Sequence, residues 1–98
     1  MSAMPARLSP DEISAALSGL PLWSGDDEGI HRSVELPSFP DAVAAIGRIA
    51  EVAEEMDHHP DIDLRWRTLH LHVVTHSAGG VTANDLELAR RIDALLPG

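Results

Sequence analysis

The sequence predicts an α+β fold: three helices packed on one face of a four-stranded antiparallel sheet, in the order α-β-β-α-β-β-α. Three observations carry this. Three segments place apolar residues at helical spacing behind a capping residue. Other stretches alternate apolar and polar at period two, and these come in close pairs, as hairpin strands do. Hairpins make an antiparallel sheet, and helices then cover one of its faces.

Ser9 caps the first helix, Pro10 takes its first position and Glu12 closes a capping box. Ile13, Ala16, Leu17 and Leu20 supply the stripe, and Gly19 with Pro21 ends it. A short strand around Trp23 follows, then an acidic Gly-bounded turn and a strand from Gly29 to Leu36. On that strand Ile30, Val34 and Leu36 share one face, which Arg32 interrupts. Ser38 caps the longest helix, with Pro40 in its first turn and Asp41 completing a second box. Its expected stripe is Phe39, Val43, Ile46, Ile49, Ala50, Ala53 and Met56, and Pro60 is expected to stop it. Residues 62 to 76 alternate: Leu64 and Trp66 share a face, then Leu69, Leu71 and Val73 oppose His70, His72, Val74 and His76. Two strands with a tight turn near Arg67–Thr68 fit this pattern, and so does one long bent strand. The loop SAGGV leads to a last helix capped by Thr82, with Asp85 three residues on and a stripe of Leu88, Ala89, Ile92, Leu95 and Leu96.

Ninety-eight residues (1–98) make one domain, with 1–7 expected to be disordered. So small a core favours association, and the edges of an open sheet offer a route to it. The net charge of −9 argues against nucleic acid and against docking on an anionic membrane. The N-terminal stretch MSAMPARLSPDE lacks an apolar signal core, and no segment approaches the roughly 20 apolar residues that span a bilayer, so a cytoplasmic protein is expected. Cysteine is absent, which removes disulfides, thiolate nucleophiles and Cys-bound zinc. All seven basic residues are Arg, which removes Schiff-base chemistry and, with high Ala, suggests a GC-rich bacterial source. Acid–base work then falls to His, Asp and Glu, and six histidines in so short a chain stand out.

In EEMDHHPDIDLRW, Glu54 and His58 are four apart and are expected to be neighbours on one helical face. A carboxylate there can fix the imidazole tautomer. The plainer account is that His58 and His59 only favour the negative end of the helix dipole. His76 ends a strand beside a Gly-rich loop, either as a polar terminus or as a ligand contact. Asp85 lies on the inward stripe, three before Leu88, and a capping box alone would also explain it. His70 and His72 form an H-x-H pair that could ligate zinc. On a continuous strand, however, His70 and His76 would be roughly 20 Å apart. An exposed sheet face is the expected home of His70 and His72, and no metal site is expected.

Taken together, Glu54, His58, His59, Pro60, Trp66, Thr75, His76 and Asp85 resemble the compound motif of the pterin-4a-carbinolamine dehydratases, the dimerisation-cofactor family. The upstream pattern, Trp23 and then IHRSVELPSFPDAVAAIGRIAEVAEE, is also similar, so the resemblance runs from Leu8 to about Leu95. Ile62 departs from it, since some members carry an aromatic there. The resemblance implies the same α+β fold in dimers or tetramers. The implied activity is removal of water from a 4a-hydroxytetrahydropterin, which recycles the cofactor of aromatic amino acid hydroxylases. It also implies His58, His59 and His76 as the catalytic set, with Glu54 and Asp85 in support. Asp57, Pro60, Trp66 and the segment Val74, Thr75, His76 and Ser77 would lie against the pterin. The pterin is the substrate, and no further cofactor is expected. The alternative is a non-catalytic dimerisation or assembly cofactor on the same fold.

Overall fold

Alternation along the hairpin strands decides which side of the sheet is buried. The computed structural model describes residues 6–97. It contains α1 (Pro10–Leu17), β1 (Ser24–Asp26), β2 (Gly29–Glu35), α2 (Phe39–Met56), β3 (Asp61–Arg65), β4 (Thr68–Val73) and α3 (Ala83–Asp93). A 3-10 turn, His76–Ala78, follows β4. The strands pair antiparallel throughout, in the order β1-β2-β4-β3. Ile30 and Arg32 of β2 and Leu69, Leu71 and Val73 of β4 are buried, while His31, Ser33 and His70 between them are exposed. The buried side chains join Ile13 and Leu20 near α1, Ile49 of α2 and Leu88 and Ile92 of α3 in one core. One sheet face is therefore covered by helices and the other is open. That is the α+β arrangement expected, and β3 and β4 form the two-strand hairpin rather than a single bent strand.

Four local expectations change. β1 begins one residue after Trp23, whose ring is buried and whose Nε1–H donates to Asp93 Oδ1 at 2.9 Å. Arg32 does not interrupt the buried face of β2 but belongs to it. Its guanidinium donates to Asp93 Oδ1 at 2.7 Å and to the Pro97 carbonyl, so the buried charge is paired. The second capping box forms by half, with Ser38 Oγ accepting from Asp41 N–H at 3.1 Å. Finally, α2 is rotated from the expected stripe: Ala42, Ala45, Ile49 and Ala53 are buried, whereas Phe39, Val43 and Ala50 face outward. Three small side chains around Ile49 let the helix lie close to the layer beneath it.

The N-terminal segment crosses the loop before α3. Leu8 N–H donates to the Val81 carbonyl and Val81 N–H to the Asp27 carbonyl, each at 2.9 Å. Arg7 pairs with Asp27 at 2.6 Å. Of the stretch 1–7 expected to be disordered, residues 1–5 lie outside those described. Gly80 sits so close that a Cβ would fall 2.6 Å from the Asp27 carbonyl oxygen. Among the described residues no helix is long and apolar enough to cross a membrane.

Candidate active site

The site begins where α2 ends. Asp57 takes left-handed backbone angles, φ 49 and ψ 44. Its N–H donates to the Glu54 carbonyl at 3.2 Å, and His58 N–H donates to the Ala53 carbonyl at 3.0 Å. This pair of bonds is the Schellman arrangement, usually built on glycine. The chain thus leaves the helix three residues before Pro60, which is not the stop. One left-handed residue also turns His58 out of helical register with Glu54. His58 Nε2 instead meets Asp85 Oδ1 at 2.5 Å, with the imidazole only 12% exposed. Glu54 takes the next residue: His59 Nε2 lies 2.5 Å from its Oε2, both side chains being exposed. The expected Glu54–His58 pair is corrected to two pairs, Glu54–His59 and Asp85–His58.

Asp85 is fully buried, as its place on the inward stripe implied. Its Oδ2 accepts from Thr75 Oγ1 and from Thr82 N–H, each at 2.8 Å. Thr75 Oγ1 and Thr82 Oγ1 are themselves 2.8 Å apart. The capping box of α3 and a carboxylate supporting His58 are therefore the same group. Three segments remote in sequence meet on it: the end of α2, the residue before His76 and the start of α3. β4 stops at Val73, and Thr75 bridges to Gly80, so His76 opens the 3-10 turn rather than ending a strand. His76 and Ser77 are exposed, Val74 is half-buried and Thr75 is buried. Asp57 is exposed and Pro60 half-buried at the entry to β3.

Trp66 stands apart. It occupies the β3–β4 turn with φ 55, at the far end of β3 from Pro60. It is 71% exposed, with the Arg67 guanidinium 4.7 Å from its ring centroid. His70 and His72 lie on the open sheet face, as expected. There a hollow of about 380 Å³ is lined by His31, Ser33, Asp61, Asp63, His70 and His72, but by none of His58, His59 and His76. His72 Nδ1 is 3.1 Å from Asp61 Oδ2, His70 Nδ1 is 2.7 Å from Ser33 Oγ, and the His31 and His72 rings stack at 5.8 Å. Among the described residues no group of three or more His, Asp or Glu is gathered so as to hold a metal ion. The hollow was not legible beforehand, because only strand register sets His31 opposite His72 and Ser33 opposite His70. Thr82 was read only as a cap; nothing in the sequence gave its hydroxyl a partner in Thr75.

Fold and site define a small α+β domain with two histidine segments, 58–59 and 76, joined through a buried acid. The family model for pterin 4 alpha carbinolamine dehydratase matches residues 6–95, and the chain belongs to that family. A protein of Mycolicibacterium smegmatis, provisionally named a pterin-4-alpha-carbinolamine dehydratase, is 50% identical over 91 residues, covering 93% of this chain and 97% of that protein. A Nocardia farcinica protein with the same provisional name is 51% identical over 88 residues, covering 90% and 93%. Among solved structures, a transcriptional coactivator/pterin dehydratase from Brucella melitensis superposes with a TM-score of 0.88 at 32% identity, covering 93% of this chain and 99% of that one. A pterin dehydratase-like RuBisCO assembly factor of the alpha-carboxysome shares the fold, with a TM-score of 0.61 at 20% identity over 74% of this chain and 84% of that one.

Proposed function

We propose that this chain removes water from a 4a-hydroxytetrahydropterin to give the quinonoid dihydropterin, using His58, His59 and His76 and no metal or further cofactor. The observation that carries this is the buried Asp85 binding both His58 and Thr75, the neighbour of His76, in a member of the dehydratase family. In the reaction the C4a–O bond breaks as a proton reaches the leaving oxygen. The ring nitrogen beside C4a loses its proton, and its electron pair forms the new double bond. Imidazoles titrate near neutral pH and can both give and take these protons, a role worth about 10²–10⁴-fold. Asp57, Pro60 and the Val74–Ser77 segment flank the histidines and line the pterin in this proposal. Trp66, at the far turn, lies outside that set within one chain. After a two-electron reduction by a separate reductase, the product would return to an aromatic amino acid hydroxylase as tetrahydropterin.

The test is turnover of a synthetic 4a-hydroxytetrahydropterin above its uncatalysed dehydration. His58→Ala and His76→Ala should each slow it by roughly 10²-fold or more. His59 is held at the surface by Glu54, so His59→Ala should raise KM at least as much as it lowers kcat. His70→Ala and His72→Ala, on the open face, should stay within a few-fold of the parent. A flat series overturns the assignment. The coactivator half of the Brucella protein's name favours one other reading, a non-catalytic dimerisation or assembly role. A folded chain without turnover on any 4a-hydroxypterin would point there.

A further inference from the structure

We infer that Thr75 and Thr82 are positioning residues that decide which nitrogen of His58 does the work. Their hydroxyls form a one-way donor chain ending on Asp85, so that Nε2 of His58 carries the proton facing Asp85 and Nδ1 is left to meet the substrate. The catalytic meaning of this rests on the dehydratase reading; the proton's position on the ring does not.

Each hydroxyl has one hydrogen to give, which orders the chain. Thr82 Oγ1 accepts the Asn84 N–H at 3.2 Å as the cap of α3, which leaves its own hydrogen for Thr75 Oγ1 at 2.8 Å. Thr75 already receives that hydrogen and gives its own to Asp85 Oδ2, also at 2.8 Å. Oδ2 takes the Thr82 N–H as a second donor. Asp85 is buried away from solvent, and two donors on one oxygen set the group up as an acceptor. The remaining short contact, Oδ1 with His58 Nε2, then runs from Nε2–H to Oδ1. A ring nitrogen's partner fixes the tautomer, and Nδ1 is free to take or return a proton.

Capping alone accounts for part of this network. It explains why Thr82 Oγ1 receives Asn84 N–H and why Asp85 receives Thr82 N–H. It does not explain Thr75, which belongs to no helix and whose buried hydroxyl reaches ten residues along the chain to Asp85. Through its backbone Thr75 bridges Gly80 and precedes His76, so one residue ties the orientation of His58 to the turn that carries His76.

The test uses the full chain labelled with ¹⁵N at histidine, in the pH range where free imidazole is neutral. The parent should show His58 with a protonated Nε2 and a bare Nδ1. Asp85→Asn keeps the shape, but its carbonyl oxygen stays with the Thr75 and Thr82 donors while its amide faces Nε2. That variant should therefore move the proton to Nδ1, as an amide in place of a carboxylate does in a catalytic triad. Thr75→Val should give a mixed His58 signal and lower kcat by roughly 10–100-fold, the loss seen when the partner orienting a ligating imidazole is removed. The fall in kcat should exceed any rise in KM, and Thr75→Ser should restore both the signal and the rate. A parent spectrum with the proton on Nδ1 overturns the inference, and so does a Thr75→Val spectrum that remains unmixed. If instead no 4a-hydroxypterin is turned over while the spectra behave as stated, the dehydratase reading fails and the donor chain stands.

Discussion

Asp57 holds a backbone conformation that helices usually give to glycine. Left-handed geometry costs an ordinary residue about 1–2 kcal/mol, and Asp less, because its short side chain bonds locally. Asp57→Gly should therefore leave stability unchanged or raise it by up to about 1 kcal/mol, while Asp57→Val should lower it by about 1–2 kcal/mol. Urea melting of the three proteins checks this. If the Asp57 carboxylate also touches pterin, the glycine variant keeps its stability and loses affinity. Asp93 offers a second test, since Arg32 and Trp23 both donate to it. Asp93→Ala should cost roughly 3 kcal/mol, near the lower end for stranding a buried charge because Asp93 itself is partly exposed. Adding Arg32→Met should recover much of that loss, and a double variant weaker than the single one would refute the pairing.

Residues with one dominant local signal behaved as the sequence suggested. Ser9 and Thr82 cap their helices, and Asp85 points inward because it lies three and four before Leu88 and Ala89. α2 differs because it carries two apolar stripes. Phe39, Val43 and Ile46 outweigh alanines in a periodicity, yet small side chains win where a helix must approach its neighbours closely. Ala45→Leu should then cost about 1–3 kcal/mol by overpacking, while Ala50→Leu should stay within about 0.5 kcal/mol. Thermal unfolding of the pair decides which face is buried. The same limit applied at the site: His58, His59, His76 and Asp85 were legible as candidates, but their partners were not. Nothing in the composition of Met56–Asp57–His58 marks a left-handed turn, and that turn gives His58 to Asp85 and leaves Glu54 to His59.

Among the described residues, one sheet face, two edge strands and the outward side of α2 are uncovered, with Phe39 and Val43 about half exposed. A chain of 10.5 kDa with so much unpartnered surface is proposed to act as a homodimer or homotetramer. Sedimentation at micromolar concentration should give a mass that is a multiple of the chain; a stable 10.5 kDa species would overturn this.

The N-terminal strap has a practical side. Leu8 braces the loop whose other end holds Thr75 and His76, through one amide on Val81. Removing everything before Ser9 spares every helix and strand among the described residues, yet loosens the histidine turn from a distance. Deuterium uptake at the Thr75 and Val81 amides should quicken in that truncated chain while the Leu69 and Leu71 amides of β4 keep their protection. How a tag or fusion is joined at this end would then set the turnover proposed for this chain without altering one residue of the proposed site.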